Sequence, residues 1–138
     1  MRGVHIIALI GVAVACQGAM AFAQAQFPAL SGLERGEWEL KERGNDSSAR
    51  RLCIGDASQL LQPLHAGRQC KHYVLENTAQ RAAVTYDCAQ AGQGRTQVRV
   101  ETARLVQIDS QGVSGGSPFA MVMEGRRVGA CRTAALAR

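Results

Sequence analysis

Four cysteines set across a short chain constrain its fold more than any other feature. They are Cys53, Cys70, Cys88 and Cys131. An even set behind an export-type leader reads as a disulfide framework, and disulfides persist in oxidising compartments. A fifth cysteine, Cys16, lies within the leader.

The leader carries Arg2, then an apolar run over residues 4–15 broken only by His5. Small-residue cleavage patterns follow: Ala19-Met20-Ala21, Ala21-Phe22-Ala23 and Ala23-Gln24-Ala25. This layout predicts a secretory signal peptide over 1–23, cleaved after Ala23 or alternatively after Ala25. The run is shorter than the roughly 20 residues of a membrane span. Ala13-Val14-Ala15-Cys16 offers a lipid-modified cysteine as a minority alternative, without the usual leucine three residues before it. The expected location is periplasmic or secreted, in a bacterium. No second apolar segment approaches membrane length, so no transmembrane span is expected once the signal is removed.

What remains is one domain's worth of chain. The full 138 residues hold 16 basic and 11 acidic side chains, a formal net charge of +5. All the basic residues except Lys41 and Lys71 are arginine. They are interleaved with Glu and Asp, which predicts a mixed-charge solvated surface rather than a binding stripe. That patterning and the export signal both argue against nucleic acid as a partner. The expected organisation is a flexible leader over 24–35, a single disulfide-stapled β-rich domain over 36–131 and a tail over 132–138.

Polar–apolar alternation predicts strands over 37–41, 82–88 and 97–101, and short apolar-rich runs predict further strands over 51–54, 71–76, 105–108 and 119–124. One short helix is expected after Asp56, capped with the help of Gln59. Leu60, Leu61 and Leu64 would form its apolar face, and Pro63 would limit it to about two turns. The fold class is therefore mainly β (α+β): an antiparallel, curved or partly closed sheet with one short helix and two disulfides.

Four cysteines allow three connectivities. The expected pairs are Cys53–Cys70, clipping the helical excursion, and Cys88–Cys131, tying the last strand to the sheet. Cys53, His65, Cys70 and His72 form a zinc alternative, but without Cys-x-x-Cys spacing. No metal and no cofactor are expected. Ser110, Asp109 and either His65 or His72 can be drawn as a hydrolytic triad, yet no Gly-x-Ser-x-Gly elbow surrounds Ser110. The glycine-rich stretch 110–118 lacks the lysine of a phosphate loop and reads as a long turn. No catalytic residue is assigned and no enzyme is expected. Trp38, Tyr73, Tyr86 and Phe119, with Met121, either line an apolar concavity or fill the core.

Gly36-Glu37-Trp38-Glu39-Leu40, then Cys53, Cys70 and Tyr86-Asp87-Cys88, resemble the bacterial exported family catalogued as domain of unknown function 3617. The resemblance covers 36–88, and the C-terminal part looks like a subgroup pattern. It implies a periplasmic location and paired cysteines, and it brings no activity with it. Three functional classes follow. The first is a non-catalytic module that binds a small apolar ligand or an envelope protein. The second is an inhibitor of another secreted protein, acting through a protruding loop at 111–118. The third is a small hydrolase.

Overall fold

The computed structural model describes residues 26–132. The expected signal peptide, both expected cleavage sites, Cys16 and all but the first residue of the expected tail lie outside that range.

Seven strands form one sheet: β1 Gly36–Glu42, β2 Arg50–Ile54, β3 Lys71–Asn77, β4 Arg81–Asp87, β5 Gly92–Thr102, β6 Leu105–Ser114 and β7 Ser117–Gly129. Their order is β2-β1-β7-β6-β5-β4-β3, and every neighbouring pair is antiparallel. The sheet is open, with β2 and β3 at its two edges. These edge strands are consecutive in the chain. The segment joining them must therefore cross the whole sheet, six interstrand steps or about 29 Å.

That crossing builds the core. It contains two 3-10 turns, Ala57–Leu61 and Pro63–His65, and buries Leu60 and Leu61 completely. Beneath it, the alternating strands present Trp38, Leu40, Ile54, Val84, Tyr86, Val98, Val106, Ile108 and Met123. The opposite face carries the polar partners of the alternation. There Arg51 pairs with Glu37 and Glu39, Arg99 with Glu101 and Arg126 with Glu124.

Four expectations change. First, residues 57–65 form 3-10 turns instead of a two-turn α-helix. Asp56 accepts from the Ser58 backbone N–H at 2.9 Å, and the chain then has to keep travelling across the sheet. The α-helix among the described residues is α1, Pro28–Ser31, with proline at a helix start where no N–H is needed. Second, part of the expected flexible leader is packed: Phe27, Ala29 and Leu30 are buried in the core. Two large apolar side chains there find a place against the sheet.

Third, the glycine-rich stretch is mostly strand. Ser110 to Ser114 belong to β6, and Ser114 pairs with Ser117. Only Gly115 (φ 57°) and Gly116 (φ 82°) lie between them. Two successive positive-φ residues make the two-residue hairpin turn whose twist matches the strands it joins.

Fourth, the cysteines pair as Cys53–Cys131 and Cys70–Cys88, with Cα separations of 5.4 Å and 4.3 Å. The reason is register. Lys71 faces Asp87, so Cys70 and Cys88 occupy the next rung at the open end of the β3–β4 hairpin. Cys53 faces Glu37 on β1, and Glu37 faces Gly129 on β7. The chain leaving β7 then needs only two residues to reach Cys53. No helix among the described residues is long and apolar enough to cross a membrane.

Candidate functional site

Glycines inside strands mark close backbone approaches, and here they gather in one place. Tyr86 on β4, Gly94 on β5, Gly112 on β6 and Phe119 on β7 lie in a single cross-strand row. A side chain at Gly112 would collide with the Gln93 carbonyl and the Gly94 backbone. One at Gly94 would stand 2.7 Å from both the Tyr86 hydroxyl and the Gln111 carbonyl oxygen. The row is thus bare backbone between two aromatic residues.

A concavity of about 540 Å³ opens over this row. Its remaining lining comes from the flanking rows: Thr85, Arg95 and Gln111 on one side, Gln93 and Val113 on the other. A smaller hollow of about 190 Å³ adjoins it, sharing Arg95 and Gln111 and adding Gln97 and Asp109. Among the described residues, Arg95 takes part in no ion pair, in contrast to Arg51, Arg99 and Arg126. Alternation turns the Tyr86 and Phe119 side chains to the core face and those of Thr85, Gln93, Arg95, Gln111 and Val113 to the opposite face, where two amides and one guanidinium outside any ion pair flank the glycine backbone.

Behind it lies a buried polar chain. His65 is 3 % exposed; one ring nitrogen lies 2.9 Å from the Ala91 carbonyl oxygen, the other 3.2 Å from the Tyr86 hydroxyl. A carbonyl only accepts, so His65 donates from Nε2 and, as a neutral ring, accepts from Tyr86 at Nδ1. Tyr86 also shares a hydrogen bond with Ser110, and the Ser110 and Thr96 hydroxyls lie 2.7 Å apart. Burial pushes the Tyr86 phenol up, and the Ser110 hydrogen bond opposes that shift. Each polar group in this chain has a partner, which is what burial demands.

The sequence candidates are distributed as follows. Trp38 is in the core, wholly buried, and its indole N–H donates to the Glu34 carbonyl at 2.9 Å. Tyr86 and Phe119 end the row beneath the concavity, with side chains on the core face. Met121 packs against the core, and Tyr73 stands out on β3, 59 % exposed. Ser110 and His65 are joined through Tyr86, but both are buried, and Asp109 faces the other side of the sheet. All four cysteines of the zinc and disulfide readings are consumed in disulfides. Arg95 and Gln111 escaped sequence reading. Their only signal was indirect: Gly92, Gly94 and Gly112 interrupt otherwise strand-like stretches.

His72, opposite Tyr86 on β3, has a buried Nε2 with no partner. Desolvation lowers its pKa below the ordinary 6.5. The unfolded chain then takes up the proton first, so stability is full above about pH 6.5 and falls as the pH drops through the depressed folded value. Glu124, held down by hydrogen bonds from Arg126 and Gln107, loses its contribution only at more acid pH. Urea midpoints are expected to fall between pH 7 and pH 5, and His72→Leu is expected to flatten that decline. An identical slope in the variant would remove His72 as its source.

Against known proteins, the family model described as "Protein of unknown function (DUF3617)" matches residues 33–131. No curated protein and no solved structure matches the chain.

Proposed function

We propose that this chain, which belongs to the DUF3617 family of proteins of unknown function, is an exported, periplasmic, non-catalytic module that binds a small ligand. The concavity over the Gly94–Gly112 row carries the reading. Its volume of about 540 Å³ falls within the range of small-molecule sites, which are mainly apolar with a few placed polar groups. Val113 and the bare Gly94 and Gly112 backbone suit an apolar body, and Arg95, whose side chain shares the face of Val113, suits an acid group on the same molecule. The leader sequence and two closed disulfides support residence in an oxidising compartment.

The non-catalytic part rests on the fate of the nucleophile candidates. Ser110 and His65 are sealed in the core and committed to each other through Tyr86. The inhibitor reading loses its main feature, because residues 111–118 form paired strands around a two-residue turn.

The test uses an amphipathic anion, 1-anilinonaphthalene-8-sulfonate, with the mature protein purified from a periplasmic extract. Saturable binding with one site per chain is expected. Arg95→Ala should weaken it about tenfold, equivalent to about 1.4 kcal/mol. Val113→Asp, on the same face as Arg95, should also weaken it, whereas Arg51→Ala, away from the site, should not. Binding indifferent to both Arg95 and Val113 would overturn the assignment.

A further inference from the structure

The two edges of the sheet are finished differently. At β2, Arg51 is held by Glu37 and Glu39, the Arg50 guanidinium donates to the Pro63 carbonyl at 2.6 Å, and Cys53 is bonded to Cys131. The strand is only five residues long. These are the devices by which proteins blunt an exposed edge. At β3 a register shift lies between Val74 and Glu76, but the apolar middle of the strand is left uncovered. Tyr73, Val74 and Leu75 are consecutive and 59 %, 45 % and 52 % exposed. No proline interrupts the strand, and its sequence is Lys-His-Tyr-Val-Leu-Glu-Asn. Apart from this trio, the large apolar residues exposed among those described are Val122 and Val128.

From this we infer that β3 is the interface with a second copy of the chain, the two β3 strands pairing antiparallel about a two-fold axis to extend the sheet.

The argument for a second copy is the charge pattern. A two-fold antiparallel pair is self-complementary: if residue i faces residue j of the partner, j faces i. Lys71 and Glu76 bracket the apolar trio. Five positions apart on a regular strand, they would point to opposite faces. The register shift between Val74 and Glu76 corrects this. Lys71 faces Asp87, Tyr73 faces Thr85 and Glu76 faces Ala83, positions of equal parity on β4, so all three lie on the same face. Centring the pair on Tyr73 then sets each Lys71 against the other copy's Glu76. The exposed trio is covered at the middle of the contact, and both ends close on opposite charges. Opposed charges directly across a strand pair stabilise it, and like charges destabilise it.

Sedimentation equilibrium on the mature chain tests the inference, with circular dichroism to confirm that each variant is folded. The wild type is expected to be a reversible dimer. Lys71→Glu sets two carboxylates face to face at each end of the contact, and Glu76→Lys sets two ammonium groups there. Each should raise the dimer dissociation constant about tenfold through the two symmetric contacts. The double exchange K71E/E76K restores opposite charges in reversed order and should bring back wild-type association. Val74→Lys, at an exposed position, should give a folded monomer. A folded wild type that remains monomeric at millimolar concentration would overturn the inference. So would a double exchange no better than either single variant, or a dimer that Val74→Lys leaves intact. None of these positions lines the concavity, so the outcome is independent of ligand binding.

Discussion

Replacing Cys53 and Cys131 together by alanine is expected to lower folding stability by about 4.5 kcal/mol, against about 3 kcal/mol for Cys70 with Cys88. The difference follows from the loops each bond closes. The first joins residues 78 apart in sequence and the second residues 18 apart. Cross-linking distant residues removes more freedom from the unfolded chain. The structural consequences also differ. Cys53–Cys131 anchors the end of β7 to the far side of β1, tying the C-terminal strand to the edge strand β2. Cys70–Cys88 closes a hairpin that already has a ladder of its own. Urea denaturation of the two double variants, read by far-ultraviolet circular dichroism, measures both losses. Equal losses, or a larger loss at the 70–88 bond, would contradict this account. Losses of this size are a large share of the net stability of a small domain.

Trp38→Ala is expected to cost about 3–5 kcal/mol, the range for removing a buried aromatic side chain. Trp38 is fully buried on the core face of β1, next to the edge strand, facing Leu52 on one side and Arg127 on the other. It also holds a junction. Its indole donates to the Glu34 carbonyl, while the Glu34 backbone N–H donates to the Ala103 carbonyl at 2.9 Å. The Glu34 carboxylate receives Arg104 at 2.9 Å, and this hydrogen bond holds its pKa below the usual 4.5. The segment that brings α1 onto the core is thus pinned to the β5–β6 turn beside the tryptophan. Trp38→Phe separates the two contributions. It keeps most of the apolar volume and removes the donor, so about 1–3 kcal/mol is expected. Because Trp38 is the chain's single tryptophan, its fluorescence is lost in both variants, and circular dichroism must report unfolding. A phenylalanine variant as unstable as the alanine one would show that the hydrogen bond, rather than the volume, governs the site.

Both predictions rest on residues whose importance was partly readable from the chain. Trp38 and Leu40 alternate with Glu37, Glu39 and Lys41, and that alternation assigns Trp38 to a buried face before any partner strand is known. All seven strands were legible, β1, β4 and β5 from alternation and the others from short apolar-rich runs, although β5, β6 and β7 run longer than those patterns. Their extensions hold Gly92, Gly94 and Gly112, where glycine reads locally as a turn but serves a close approach between strands. The row beneath the concavity was legible only in its two end residues, Tyr86 and Phe119. They lie far apart in the chain and meet through a four-strand row. Arg95 and Gln111 carry no local mark, since a polar residue on a strand reads as a solvated face wherever it sits.

The disulfide pairing shows the boundary most clearly. Cys53–Cys70 and Cys70–Cys88 enclose loops of nearly the same length, so chain distance could not separate them. Strand register could, because it puts Cys70 and Cys88 on one rung and brings Cys131 across β1 to Cys53. Strand positions, their buried faces and the presence of a cysteine framework were written in local patterns of residue type, because a strand's alternation and a cysteine's chemistry need no distant partner. Cysteine pairing, the crossing of residues 55–70 over the sheet, the placement of Arg95 and the exposed trio on β3 came from strand order and register. Those are long-range properties, settled when the chain packs its first strand against its last.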